Sequence, residues 1–159
     1  DIDLFLPMVR ANGAWRSPLT YILGWGRNWS SPRKGRIPSR GVCAINSGML
    51  ISAHYLLGDF PGYDERLRFY GTDTQFMLEY MKRRPELAVL DTTIEHDLSF
   101  FSASREAQIL KFQEMRKAYS YIYEKQPLLE KTGMRAVMSL VSLIYALRYR
   151  APKLLRMNW

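Results

Sequence analysis

The chain has 159 residues but only one cysteine and two histidines, and it lacks an initiator methionine. A single cysteine, Cys43, excludes an internal disulfide framework and is compatible with a reducing compartment. The chain opens with DIDLFLP, which places acids where a signal peptide would carry its basic region. We therefore expect a processed or excised piece of a longer polypeptide. Its 47% hydrophobic and 24% charged residues are typical of a globular protein rather than a disordered one.

Acidic residues are scarce in the last third of the chain. Residues 101–159 contain 11 Lys or Arg and 4 Asp or Glu, whereas residues 1–100 contain 12 and 11. A basic surface attracts phosphates of nucleic acids, nucleotide sugars or anionic lipids. No nucleic-acid-binding motif is recognised and the basic residues border an apolar helix, so we favour lipid and expect no nucleic acid as a partner.

The periodicity of the sequence changes near residue 103, from short strand and helix patterns to long amphipathic helices. Gly48 interrupts one strand pattern, which marks a bulge or a close approach of another group to the backbone. The patterns predict strands at 4–9, 41–52 and 87–99, a loop at 24–41, a helix at 72–85 and two helices after 103. The fold class is thus α/β: a short mixed sheet with flanking helices in residues 1–100, followed by a C-terminal helical appendage in 101–159.

Two residues in the stretch 71–99 are candidates for chemistry. Asp73 opens the predicted helix, where the positive end of the helix dipole favours an ionised carboxylate, and an ionised carboxylate can take a proton from a hydroxyl. His96 lies at or just past a strand end, where an imidazole nitrogen could bind a divalent metal. On spacing alone, Asp73 as a helix cap and His96 as a structural residue remain the alternatives.

The segment INSGMLISAHYLLGDFPGYDERLRFYGTDTQFMLEYMKRRPELAVLDTTIEHDLS resembles the second half of inverting family 2 glycosyltransferases with the GT-A fold. The matching elements are the small-residue strand, a GGFDE-like turn, an acidic element that opens a helix, and a strand ending near a His. In this sequence they are Ser47-Gly48, Gly62-Tyr63-Asp64-Glu65, Gly71-Thr72-Asp73 and His96-Asp97. They follow the family's order over about a third of the chain, and the preceding LFLPMVRANGAWRSP resembles the family's bridging segment.

The resemblance implies a role for each matching residue. Asp73 would be the general base that deprotonates the acceptor hydroxyl, and His96 would approach the metal or the donor pyrophosphate. Thr72 stands where the family usually has Glu. The residues implied to contact substrate are Ser47, Gly48, Asp64, Glu65 and Thr72.

The implied function is transfer of a sugar from a nucleotide-sugar donor to a saccharide or lipid-linked acceptor, with inversion, in bacterial cell-surface polysaccharide or glycolipid biosynthesis. The complete enzyme would use Mg²⁺ or Mn²⁺ and lie at the inner, cytoplasmic face of the cell membrane. Asp1-Ile2-Asp3 matches the letters of the family's metal-binding DxD motif. However, its apolar run follows the acids instead of preceding them, so we interpret these residues as strand entry. We accordingly expect a C-terminal, acceptor-side portion that is inactive without a donor-binding half.

The segment AVMSLVSLIYAL (136–147) is an apolar helix with basic flanks. Twelve helical residues extend about 18 Å, too short for a hydrocarbon core of about 30 Å. The pattern predicts a helix lying in the plane of a membrane surface, and the alternatives are packing on the domain or on a second copy of the chain. A noncatalytic carbohydrate- or membrane-binding module is the alternative function. Loop 24–41 could bind a phosphate or an acceptor, or it could be a solvated, mobile crossover, and Trp25 and Trp29 slightly favour the functional role. Gln113 and Arg116 are interpreted as ordinary helix surface.

Overall fold

The computed structural model describes residues 2–68, 70–96 and 104–156. These residues form a mixed α/β structure, which confirms the predicted fold class at that level. The strands are β1 (Leu4–Ala11), β2 (Ala14–Ser17), β3 (Leu19–Ile22), β4 (Trp25–Asn28), β5 (Gly35–Pro38), β6 (Val42–Cys43), β7 (Leu50–Ile51) and β8 (Glu86–Glu95). The helices are α1 (Thr72–Arg83), α2 (Arg105–Glu124) and α3 (Leu128–Arg148), with short helical turns at Tyr55–Asp59 and Pro152–Arg156.

The described residues divide into two compact units. The first comprises 2–22, 26–63 and 72–96, and the second comprises 23–25, 64–68, 70–71 and 104–156. The second unit therefore includes short segments of the range 1–100 as well as the C-terminal helices.

The main sheet has the strand order β2-β1-β8-β5, and β7 also pairs with β1. β1 and β8 are parallel, with Phe5 opposite Ala88, whereas the β1–β2, β1–β7 and β5–β8 pairs are antiparallel. A second sheet has the order β4-β3-β6. β1 is a nearly continuous apolar run that is buried on both faces, Leu4, Leu6 and Met8 on one and Val9 and Ala11 on the other, so this strand lies at the centre of the first unit's core.

Two predictions about the strands need correction. Residues 24–41 are not a continuous loop, because they contain β4 and β5. β5 is polar and mostly exposed, and it forms because it pairs with β8 some fifty residues later, in a register that places Gly35 opposite Val89. The pattern at 41–52 does not form one strand, because it contains the two short strands β6 and β7. β8 is a single strand, although its pairing with β1 is irregular near Asp91.

An aromatic cluster and an ion-pair network support the first unit. Tyr55, Phe76 and Tyr80 are fully buried and pack edge to face or stacked, with ring centroids 4.9–6.2 Å apart. Beside them the Arg84 guanidinium donates to Asp3 and to Asp59, each at 2.5 Å. Arg84 and the Ser52 hydroxyl, which also donates to Asp3, hold the pKa of Asp3 below its usual range. Asp3 is thus engaged at the entry to β1.

The second unit is built on the buried face of α2. Ile109 and Phe112 pack against Ala146 of α3 and against Ala151 and Leu154 beyond its end. The helical stripe predicted for this segment accounts for these contacts. α3 begins at Leu128, eight residues before the apolar segment 136–147, and ends at Arg148.

Candidate functional site

Asp73 lies in the first turn of α1, one residue after the helix begins. Its Oδ1 accepts a hydrogen bond from the backbone N–H of Thr74 at 2.8 Å. The preceding Gly71 has φ +86°, a left-handed conformation that allows the chain to turn sharply into the helix. The prediction of an acid at a helix N-terminus is therefore confirmed.

The electrostatics of Asp73 differ from the prediction. Burial raises the pKa of the Asp73 carboxyl above its ordinary value, and this effect outweighs the backbone N–H groups of Thr74 and Asp73, which lower it. The hydrogen bonds at the helix start therefore do not lower the pKa of Asp73 below that of an ordinary aspartate. Because its pKa is shifted upward toward neutrality, the Asp73 carboxylate is better suited to accept a proton than an exposed aspartate is.

Two neighbours respond to the charge on Asp73. Burial raises the pKa of the Cys43 thiol to about 12, with Asp73 as the second cause. Burial likewise raises the pKa of the Tyr63 hydroxyl, and Asp73 adds to that shift. Cys43 comes from β6, and Tyr63 follows the aromatic Phe60, against which its ring packs at 5.0 Å. The charge of Asp73 thus helps to keep this thiol and this phenol protonated.

The loop between β6 and β7 contacts both α1 and β8. The Asn46 side-chain amide donates to the Thr72 hydroxyl at 3.5 Å, and the half-buried Ser47 follows it. Gly48 has φ +74°, and a Cβ added there would meet the Ile94 side chain and lie 3.0 Å from Cγ of Pro7. The predicted close approach at Gly48 is confirmed. The structure thus brings the Ser47-Gly48 loop to the start of α1 and to β8, two residues before His96.

His96 is half-buried and immediately follows β8, as predicted. Its backbone N–H donates to the carbonyl of Arg10 at 2.9 Å, which extends the β1–β8 pairing by one residue. Within residues 2–68, 70–96 and 104–156 there is no group of three or more His, Cys, Asp or Glu side chains that could hold a metal ion. The described side chains therefore do not form a ligand set around His96, and its predicted partner in the motif, Asp97, lies outside the described residues.

Asp64 and Glu65 belong to the second unit, whereas Asp73 belongs to the first. Both Asp64 carboxylate oxygens accept hydrogen bonds from the Arg66 guanidinium, at 2.9 and 2.7 Å, and this contact lowers the pKa of Asp64 to about 2. Arg66 also donates to Glu124 at 3.0 Å. Asp64 therefore braces a turn against α2, while Glu65 is exposed.

Arg116 corrects a prediction. The charge of Arg116 predicts a place on the helix surface, but the residue is only 4% exposed. Its Nη1 donates to the Ser142 hydroxyl at 3.2 Å and to the Leu154 carbonyl at 2.9 Å. Burial lowers the pKa of this guanidinium. Gln113 is half-buried in the same helix. A helical wheel would have predicted this burial, because Arg116 follows the buried Phe112 by four residues and so lies on the same face of the helix.

The two tryptophans of segment 24–41 have different environments. Trp29 is buried, its indole N–H donates to the Thr20 hydroxyl at 3.1 Å, and the Arg33 guanidinium lies 4.7 Å from its ring centroid. Its role in the fold is therefore structural. Trp25 is half exposed.

The outer face of α3 is apolar. Met134, Met138, Ser142 and Ala146 face inward at intervals of four residues. Large apolar side chains remain exposed on the other side, Leu147 to 71% of its surface. This exposed ridge comprises Leu140, Leu143, Ile144 and Leu147. Among the described residues, no helix combines the length and hydrophobicity needed to cross a bilayer.

Comparison with known proteins gives no relative: no family model matches the chain, and no curated protein or solved structure is significantly similar to it. Candidate roles for these residues thus depend on the chemistry of the site and on the sequence motifs.

Proposed function

We propose that this chain supplies the acceptor side of an inverting glycosyltransferase of the GT-A type. The observation that carries the proposal is the Asp73 carboxylate in the first turn of α1, with its pKa raised by burial. A general base works best when its pKa approaches the operating pH. Tyr63 and Cys43, which burial and the Asp73 charge keep protonated, would not compete for the proton.

In the proposed reaction, Asp73 accepts the proton of an acceptor hydroxyl as the hydroxyl oxygen attacks the anomeric carbon of the donor sugar. The bond from that carbon to the nucleoside diphosphate breaks, and the leaving group departs from the opposite face, so the configuration inverts. Thr72 and the Ser47-Gly48 loop border the base, and the small Gly48 keeps backbone close to β8. The described side chains do not provide a ligand set for Mg²⁺ or Mn²⁺, and no step is assigned to a metal.

The test is Asp73→Asn in the gene product that contains these 159 residues. The amide keeps the size of the side chain and its acceptor oxygen but cannot take up the proton. Loss of a general base typically lowers the rate by about 10²–10⁴-fold. We expect a loss of that size in sugar transfer from nucleotide-sugar donors, with donor binding nearly unchanged.

The matched control is Asp91→Asn, because Asp91 is an exposed strand residue paired with Lys34 at 2.6 Å. Its turnover should stay close to wild type. If Asp73→Asn turns over as fast as this control, Asp73 has no part in the chemistry, and a noncatalytic carbohydrate- or membrane-binding module becomes the better description.

We further propose that the exposed ridge of α3 rests on an anionic membrane surface, which agrees with synthesis of a surface polysaccharide or glycolipid at the inner face of the cell membrane. Charge complementarity favours this occupant: Arg148, Arg150 and Lys153 follow the ridge, and no acid follows Glu130 in the sequence. Each basic residue near an anionic surface contributes about 1 kcal/mol, and salt screens this attraction.

Vesicle sedimentation tests the membrane contact. Leu143→Ser with Leu147→Ser should weaken binding to both anionic and neutral vesicles, because it removes the apolar face. Replacing the three basic residues by Gln should weaken binding to anionic vesicles alone. If the wild-type chain stays in the supernatant with anionic vesicles at low salt, the contact is refuted, and dimerisation measured by size exclusion would assign the ridge to a second copy.

A further inference from the structure

A small cavity lies within the second unit, between α2 and α3. Its volume is about 250 Å³, and six of its seven lining residues are polar or charged, although the stems of these long side chains make much of the wall apolar. Arg66 enters from the turn after Tyr63, and Lys131 and Arg135 come from the first two turns of α3. The remaining wall is formed by Ser120, Tyr121, Glu124 and Met134.

Of the three cations of the wall, Arg66 takes part in ion pairs, and Lys131 and Arg135 differ from it in this respect. Arg66 is held by Asp64 and Glu124, and its guanidinium lies 4.4 Å from the ring centroid of Tyr121. Within the described ranges, neither Lys131 nor Arg135 takes part in an ion pair. Because they are four residues apart on α3, their side chains lie one above the other on the same helix face.

We propose that this cavity binds the phosphate group of a small soluble phosphomonoester. Three cations and one carboxylate give the wall an excess positive charge, and the two cations without an ion pair lie near the positive end of the α3 dipole. The volume is below the range typical of drug-sized ligands, so it suits a phosphate with a short organic group.

The geometry of α3 favours a soluble source over a lipid headgroup. Lys131 and Arg135 line the cavity on the side of α3 that faces α2, where Met134 is buried. The exposed ridge, which begins at Leu140, lies on the opposite side of the helix. This site does not depend on the proposed transferase activity, and Asp73 takes no part in it.

The experiment measures binding of glycerol 3-phosphate to the full chain by calorimetry, with glycerol as the uncharged control ligand. Lys131→Gln combined with Arg135→Gln should weaken binding about tenfold or more, since charge-assisted hydrogen bonds are the strong contacts to a phosphate. The control pair is Arg40→Gln with Lys117→Gln, which removes the same charge from exposed positions outside the cavity. It should keep near wild-type affinity.

A third variant predicts a change of opposite sign. Glu124→Gln removes the only carboxylate of the wall and releases one contact of Arg66, so glycerol 3-phosphate should bind more tightly. Misfolding cannot produce tighter binding, which keeps the test independent of stability. Higher salt should weaken the wild-type complex.

A second arm uses phosphatidylcholine vesicles with and without phosphatidic acid to identify the source of the phosphate. The proposal is overturned if glycerol 3-phosphate shows no saturable binding, or if the cavity and control pairs lose equal affinity. It is also overturned if the cavity pair changes only the binding to phosphatidic acid, because a lipid headgroup would then be the ligand.

Discussion

Replacing Gly48 by Ala tests the packing of the loop beside Asp73. A non-glycine residue in the left-handed region costs roughly 1–2 kcal/mol, and Gly48 has φ +74°. The new methyl group would also press on the Ile94 side chain and lie 3.0 Å from Cγ of the rigid Pro7 ring. Overpacking of this kind costs about 1–3 kcal/mol, so we expect a total loss of roughly 2–5 kcal/mol in the free energy of unfolding.

Gly35→Ala is the matched control. Gly35 has φ +82°, but a Cβ there would meet nothing within 4 Å. This variant should lose only the backbone part, roughly 1–2 kcal/mol. Urea unfolding of both variants followed by circular dichroism gives the difference, which isolates the packing contribution at Gly48.

A double-mutant cycle with Ile94→Val then identifies the neighbour. Valine lacks the Cδ1 atom that lies nearest the added methyl group. We expect Ile94→Val to recover about 1 kcal/mol in the Gly48→Ala background, which is a favourable coupling. Equal losses for Gly48→Ala and Gly35→Ala, together with no coupling to Ile94, would refute the close approach of this loop to β8.

Three further predictions concern buried groups. Because the folded-state pKa of Asp73 is raised, wild-type stability is lost as pH rises from the unfolded value of 3.8 through the folded value. Asp73→Asn should therefore gain stability relative to wild type as the pH rises above about 4. Urea unfolding of both proteins at several pH values measures this gain, and a difference in the free energy of unfolding that stays the same at every pH would contradict it. With a pKa of about 12 instead of 9.0, Cys43 has roughly a thousandfold less thiolate than an ordinary cysteine at the same pH. Iodoacetamide should therefore label the native protein at pH 8 far more slowly than the urea-unfolded protein. Equal labelling rates would count against the burial of Cys43. Arg116→Ala should lower the free energy of unfolding by about 2–4 kcal/mol, because it leaves the buried Ser142 hydroxyl and Leu154 carbonyl without this donor. Thermal unfolding measures the loss, and a loss under about 1 kcal/mol would place Arg116 at the surface.

The local sequence pattern predicted those strands and helices whose conformation depends mainly on their own residues. β1 is a short continuous apolar run, α1 and α2 each carry a buried stripe at helix spacing, and Pro85 and the basic last turn of α1 marked where that helix ends. β5 could not be read in this way. Its Gly, Arg, Ile and Pro are extended because a distant strand, β8, supplies hydrogen-bonding partners.

The candidate site shows the same division between local and distant information. The place of Asp73 at a helix start followed from Thr72, Asp73 and the apolar spacing beyond them. Its raised pKa did not, because burial of the carboxylate depends on the tertiary fold and not on the residues around position 73 alone. Cys43 and Tyr63, whose pKa values the Asp73 charge helps to raise, are 30 and 10 residues away in the sequence. The surface prediction for Arg116 is wrong because a residue's position on the buried face of α2 decides its burial, even when the residue is charged.

The parallel pairing of β1 with β8 has a consequence for synthesis on the ribosome. Phe5 pairs with Ala88, 83 positions further along the chain. At roughly 5–20 residues per second, a nascent chain would wait about 4–17 s before this partner is made. During that interval the apolar β1 has only the short antiparallel strands β2 and β7 to cover its edges. Residues 4–9 of the growing chain would then be a target for chaperones that bind extended apolar segments, and slower translation before residue 86 would lengthen the exposure.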